Sequence, residues 1–316
     1  MIEVRDLTKA YGDVLAVDHI TFTAHPGVVT GFLGPNGAGK TTTMRMILGL
    51  DRPTSGQVLV NGADYTKSQA PIHEIGALLD AKFVDKGRSA RNHLLALGAT
   101  VGVGRNRVDE VIGLVGLDEV ARRSAGSFSL GMGQRLGIAG ALLADPAVIM
   151  LDEPVNGLDP DGILWIRHLL RQLADEGRTV LVSSHLMSEM EQTADHLIVI
   201  GRGHVLADMS MSDFIATASG NTVRVSSPEA SRLQELLAET DASVTATSAT
   251  TLEVHGVEAE FVGELAARHQ IVLHELVKVG ASLEKAFMEM TAASVQYRGG
   301  DNSNETDPSI HEGQAA

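Results

Sequence analysis

Apolar and polar positions change rhythm several times along this chain, and the changes divide it. Ile2-Glu3-Val4 alternates, and Ile20-Thr21-Phe22-Thr23 alternates again, so residues 1–27 read as short strands and turns. Val28 to Leu33 is a continuous apolar, β-branched run, which predicts a buried strand. Thr42 to Leu48 follows with helical character. Gln57-Val58-Leu59-Val60 is a strand closed by the turn Asn61-Gly62, and Ile75 to Leu79 is another, ending at Asp80. Between Asn92 and Gly116 the apolar spacing is helical, with Gly102 and Gly104 separating two helices. A helical insertion is expected over roughly residues 88–140. Val148 to Leu151, Val180 to Val182 and Leu197 to Ile200 are uninterrupted apolar runs of the kind found in strands buried on both faces.

Beyond residue 220 the rhythm is that of a second, smaller unit. Thr222-Val223-Arg224-Val225 alternates. Ser227-Pro228 looks like a helix start, with Ser227 as cap and Leu233, Leu236 and Leu237 on one face. Residues 243–246 and 251–255 read as paired strands. Val257 to His269 reads as a helix with Phe261, Val262 and Leu265 inward, and Ile271 to Leu276 as a last strand. This order, strand-helix-strand-strand-helix-strand, is that of a ferredoxin-like α+β domain. A closing helix, capped by Ser282, carries Leu283, Ala286, Phe287 and Met290 on one face. Periodicity says that this face is buried. It does not say whether it closes the small domain or packs on its neighbour. From Arg298 onward no apolar period remains. The expected division is an α/β unit over 1–215, an accessory α+β unit over 220–297, and a disordered tail over 298–316.

Composition narrows the picture. The 316 residues include no cysteine, so disulfides and thiolate chemistry are excluded. The net charge of −15 argues against nucleic acid as a partner. No apolar run reaches the length of a membrane span, and the N-terminus lacks the features of a signal peptide, so an intracellular protein is expected. His255, His269 and His274 fall on different elements without metal-ligand spacing.

Three strand ends carry chemistry. The first leads into Gly34-Pro35-Asn36-Gly37-Ala38-Gly39-Lys40-Thr41, which fits G-x-x-x-x-G-K-[ST], and then Thr42. Its glycines let backbone N–H groups converge on one anion, and the following helix adds its positive end. Lys40 would reach the β- and γ-phosphates, and the Thr41 hydroxyl would ligate Mg²⁺. The second ends in Asp152-Glu153. Two carboxylates against a buried strand need a cation or a proton to share, which suits Asp152 to Mg²⁺ and Glu153 to an attacking water. The third ends in His185, placed to bond a γ-phosphate oxygen. Near the N-terminus, Tyr11 before Gly12 is an aromatic able to stack on a base.

Residues 1 to about 210 resemble the ATP-binding subunit of an ABC transporter. Ser129-Leu130-Gly131-Met132-Gly133-Gln134-Arg135 is similar to the family's signature sequence, and Asn156-Gly157-Leu158-Asp159 to its D-loop. His185 is similar to its switch histidine, and Tyr11 to its base-stacking aromatic. Two departures stand out. Leu130 and Met132 replace a glycine and a glutamine of the signature, and Asp80 stands where the family has the Q-loop glutamine. Both features are similar to the drug and lipid exporters whose ATPase is a separate polypeptide. The resemblance implies a P-loop ATPase core with an antiparallel β subdomain and a helical insertion. The C-terminal unit resembles the accessory domain of some exporter ATPases.

The resemblance also implies ligands and partners: ATP and Mg²⁺, with Thr41 and Asp152 as metal ligands and Asp80 as a further candidate. It implies a head-to-tail pair with a second copy or a paralogue, in which Ser129 and Gly131 meet the partner's nucleotide, with Asp159 of the D-loop as a further nucleotide-binding residue. It places the pair at the cytoplasmic face of the membrane, docked through residues 80–95 to separate transmembrane permease subunits. The rivals are an importer ATPase, a soluble regulator acting on ribosomes or DNA, and a non-hydrolysing sensor. Intact Lys40, Asp152, Glu153 and His185 oppose the last.

Overall fold

Two long strands replace the short ones expected at the N-terminus. β1 (Ile2–Tyr11) and β2 (Val14–Ala24) pair antiparallel, but the register shifts on either side of Leu7. Asp6 and His19 take left-handed φ values of 52° and 49° there. Such bulges break the two-residue alternation, which is why the sequence shows only fragments of each strand. The computed structural model describes residues 1–80, 84–218, 222–240, 242–279 and 283–292.

β3 (Val29–Leu33) is buried throughout and runs into α1 (Lys40–Ile47). β4 (Ser55–Val60) returns to pair with β1, giving a three-stranded antiparallel sheet in the order β2-β1-β4. The chain continues through α2 (Pro71–Glu74) and β5 (Ile75–Leu78) into three helices, α3 (Ala90–Thr100), α4 (Arg105–Leu114) and α5 (Leu130–Leu142). These three helices fall between residues 90 and 142. Then come β6 (Val148–Leu151), α6 (Pro160–Asp175), β7 (Thr179–Ser184) and the short α7 (Met187–Glu191). β8 (His196–Gly201), β9 (His204–Ser210) and α8 (Met211–Ala218) complete the unit.

The central sheet has the order β5-β6-β7-β3-β8-β9, parallel except for the β8–β9 pair. Every residue of β3, β6 and β7 is buried. One face packs on the three-stranded sheet and α1, through Phe32, Met44, Ile198 and Ile200. The other packs on α5 and α6, through Leu136, Ile138, Ile166 and Leu170. Phosphate loop, acids and histidine therefore emerge at one edge, the carboxyl ends of adjacent strands.

The C-terminal unit has the expected order. β10 (Thr222–Ser226), α9 (Ala230–Ala238), β11 (Ser243–Ala246), β12 (Thr251–His255), α10 (Ala259–Arg268) and β13 (Glu275–Val279) form an antiparallel sheet β11-β12-β10-β13. Val223, Val225, Leu233, Leu252, Val254 and Val262 fill its core. Three local expectations are corrected. The helix opens at Ala230 and not at Pro228, because buried Ser227 closes a turn: it donates to Val272 O at 2.8 Å and accepts from Glu229 N at 3.0 Å. The last strand starts at Glu275 and not at Ile271, since pairing with β10 begins only at Ser226–Glu275. Phe261 is 41% exposed, and Val262 and Ala266, four apart, take the inward positions.

The last helix, α11 (Leu283–Thr291), leaves this sheet. Leu283 and Phe287 are buried, with Ala286 and Met290 beside them, in the apolar cluster that holds Met187, Met190, Met211 and Phe214. The stripe thus packs on the first unit. Ser282 and the tail 298–316 lie outside the described residues.

Candidate nucleotide site

The loop between β3 and α1 is shaped by close approach. Gly39, which caps α1, has φ 107°. A Cβ on Gly34 would lie 2.4 Å from the carbonyl oxygen of Ile200. No side chain caps α1, so its first-turn N–H groups face outward as an anion site. Lys40 is only 7% exposed, and its ammonium donates to Gly34 O at 2.5 Å and Pro35 O at 3.3 Å. Burial holds its pKa below the usual lysine value, against the opposing charges of Glu153 and Asp152.

The two acids are held by different partners. The Thr41 hydroxyl donates to Asp152 Oδ2 at 2.8 Å, and the Ser183 hydroxyl donates to Oδ1. The Ser183 oxygen also accepts from the backbone N–H of Glu153 at 2.9 Å. Glu153 has a left-handed φ of 49°, and its carbonyl accepts from Gln134 Nε2 at 3.4 Å. Its carboxylate lies 2.9 Å from His185 Nδ1 and 3.9 Å from Lys40 Nζ. A cation, an acid and an imidazole therefore meet at Glu153.

Asn36 to Thr42, Asp152, Glu153 and Ala16 line one open pocket. A second depression beside it is lined by Asp80, Asp152, Glu153, Leu130, Gln134 and Asn156, so Asp80 shares a wall with both acids. The other predicted residues lie elsewhere. Ser129 caps α5 by accepting from Met132 N at 3.2 Å, and Asp159 caps α6 by accepting from Gly162 N at 2.9 Å. A Cβ on Gly131 would come 3.0 Å from Gly157 O. Leu130, the residue that departs from the signature pattern, lies over Gly157, where a Cβ would sit 2.2 Å from Leu130 Cδ2. Half-exposed Tyr11 donates to Asp51 Oδ2 at 3.1 Å, with Lys9 Nζ 4.8 Å from its ring centre. None of these four predicted residues, Ser129, Gly131, Asp159 or Tyr11, is among the phosphate-pocket walls.

Sequence reasoning missed Ser183 and Gln134. Each left a signal. Ser183 is a hydroxyl near the end of a fully buried strand, and Gln134 is a buried amide in a helix whose other residues, Arg135 apart, are glycine and apolar. Both positions demand a polar partner nearby.

The family model described as "ABC transporter" matches residues 17–156. The chain is 45% identical over 212 residues to the bacitracin transport ATP-binding protein BcrA of Bacillus licheniformis, covering 66% of this chain and 69% of that one. It belongs to the ATP-binding subunits of ABC transporters. Likeness to the Nod factor export ATP-binding protein I of Burkholderia lata runs nearly end to end, 32% over 308 residues, covering 93% of this chain and 98% of that one. Among solved structures, the dimeric post-hydrolysis state of the ATP-binding cassette MJ0796 bound to ADP and Pi matches with TM-score 0.62 and 25% identity. It covers 67% of this ABC subunit and 99% of that chain. Residues 221–284 match a domain of unknown function, DUF8746. The subunit binds ATP and hydrolyses it. No helix among the described residues is long and apolar enough to cross a membrane.

Proposed function

We propose that this subunit works as a head-to-tail dimer at the cytoplasmic face of the membrane. There it couples ATP binding and hydrolysis to export of an antibiotic, lipid or similar hydrophobic compound through separate permease subunits. The observation that carries the reading is the meeting of Lys40, His185 and Glu153 beside a phosphate pocket walled by Asp152. Lys40 neutralises phosphate charge. Glu153 takes a proton from the attacking water. His185 holds the Glu153 carboxylate in place and supplies a donor toward the γ-phosphate. The BcrA and Nod factor relatives support the cargo class and the direction.

Mg²⁺ fits the residues present. The Thr41 hydroxyl and Asp152 carboxylate are hard oxygen donors 2.8 Å apart. Among the described residues no cluster of three or more acids and histidines forms a metal cage. An ion bound together with phosphates needs only one or two protein ligands. Bound there, it would neutralise charge on the β- and γ-phosphates. Asp80, beside both acids, is the third oxygen donor available to it. Ser129, Gly131 and Asp159, off the pocket in their own chain, are assigned to the partner's nucleotide, and Tyr11 to the base. The permease docks along 80–95, of which 81–83 lie outside the described residues. The test is to recover this subunit from membranes with its permease and measure transport of a hydrophobic antibiotic in inverted vesicles. ATP-dependent accumulation in the lumen is expected, and ATP-dependent depletion would reverse the direction.

A further inference from the structure

The small sheet β10–β13 is held at both ends by helices that touch each other. α8 precedes it, α11 follows it, and α11 packs against both α8 and α7. The buried residues of α11 do not join the small sheet's own core. Leu283 and Phe287, 7% and 8% exposed, belong to the apolar cluster that holds Met187 and Met190 of α7 and Met211 and Phe214 of α8. So the last described helix returns to the ATPase unit at one particular place.

That place is next to the site. α7 has five residues and begins at Met187, two positions after His185. A helix of little more than one turn cannot hold itself in place by backbone propensity; packing must do it. Its inner side is held by Met187 and Met190, both buried. At its start, the Ser184 hydroxyl donates to Glu189 Oε2 at 2.9 Å and accepts from Leu186 N at 3.0 Å. The segment Ser184-His185-Leu186 is thereby clamped to α7. From the other side, His185 Nδ1 lies 2.9 Å from the Glu153 carboxylate. The line of contact runs from α11 to α7, from α7 to Ser184, along the chain to His185, and from His185 to Glu153.

We propose that α11 is a brace for His185. Its Leu283–Phe287 face fixes α7, and α7 fixes the imidazole against Glu153. This makes Phe287 a positioning residue for hydrolysis, and it makes the small sheet a handle on turnover, since a partner that shifts the sheet pulls on α11. The inference rests on the assignment of Glu153 and His185 to hydrolysis.

The test is a mutant cycle in the full-length subunit assembled with its permease, with ATP binding and single-turnover hydrolysis measured separately. Phe287→Ala should lower the hydrolysis rate about tenfold with ATP affinity held within about twofold, the size of coupling usual between residues in one network. Phe287→Leu, which keeps apolar volume, should recover most of the rate. In a His185→Ala background, Phe287→Ala should cost less than about twofold, because the group it positions is gone. If Phe287→Ala does not fold, Met290→Ala, a smaller lesion in the same stripe, carries the same cycle. Equal losses in the parental and His185→Ala backgrounds would overturn the brace and leave the ATPase assignment standing. A Glu153→Gln protein that hydrolyses ATP at the parental rate would instead remove the assignment on which the brace rests.

Discussion

The central sheet and the small C-terminal sheet are built on different terms. In β3, β6 and β7 every residue is buried, whereas β10 buries only Val223 and Val225 and turns Arg224 outward. A strand covered on both faces gives its side chains no solvent along its length, where the hydroxyls of Thr30 and Thr179 lie buried without a partner, and its linked polar groups gather at its end. Thr41, Asp152, Ser183, Glu153 and His185 do so, in one linked set. In the small sheet, solvent serves one face, and polar side chains make local pairs such as Arg224–Glu253. The linked polar set thus sits where buried strands end at an open pocket, and the isolated pairs sit on a solvated face.

The largest effect should come from the centre of the linked set. Glu153→Gln keeps the shape of the side chain and loses the base, so hydrolysis should fall by about a hundredfold or more while ATP stays bound. An ATP-bound dimer should accumulate. Lys40→Ala should instead lose nucleotide affinity. Parallel measurements of ATP binding and phosphate release separate the two, and parental turnover in Glu153→Gln would mean that the base lies elsewhere.

Next in size is the surface assigned to the partner's site. Ser129→Arg, made in the Glu153→Gln background, should bind ATP normally and fail to dimerise, since a bulky cation would occupy the space needed by the partner's γ-phosphate. Sedimentation with ATP and Mg²⁺ reads this directly. A variant that dimerises as well as its parent would remove Ser129 from the interface.

A third pair sets the two sheets side by side. Ser183→Ala strips an acceptor from the Glu153 N–H and a donor from Asp152, in a place closed to water. It should cost about 1–3 kcal/mol of stability. Ser243→Ala, on an exposed position of β11, should stay within about 0.5 kcal/mol. Denaturant titrations decide, and equal effects would undo the contrast between the sheets.

The residues that were legible in advance are those whose meaning is local. Gly34–Thr41 is a contiguous motif, and Asp152-Glu153 ends an unmistakable apolar run, so both could be read without the fold. The order of elements in the C-terminal unit is also legible, because alternation marks β10 and β12 and helical spacing marks α9 and α10, although the last strand starts four residues later than its apolar run. What failed was whatever depends on a second segment. The β1–β2 bulges arise from pairing, so the length of both strands was hidden. Ser183 and Gln134 act across 30 and 19 residues of sequence, on a group neither of them adjoins. The stripe on α11 announced a buried face, but only the fold shows that α7 and α8 cover it.

The smallest expected effect lies where the two units meet. Glu189, on α7, is half-buried, and burial raises its pKa above the ordinary carboxylate range. The charge of Glu153 pushes the same way, against a bond from Ser184. A folded-state pKa above the unfolded one means that Glu189 supports the fold in acid, below its unfolded pKa. That support is lost as pH rises through the folded value. At neutral pH the ionised side chain is therefore a small liability, and Glu189→Gln, which can still accept from Ser184, removes it. With half of its surroundings open to solvent screening, the gain should stay below about 1 kcal/mol. It should shrink toward zero near about pH 4. Glu264→Gln, on α10, breaks only an exposed pair with Arg268 and should change stability by less than about 0.5 kcal/mol. Thermal melts of the two variants and their parent across this range make the comparison. A Glu189→Gln protein that is less stable than its parent at neutral pH would show that the carboxylate holds α7 by its charge, and that ionisation of Glu189 supports the fold instead of opposing it.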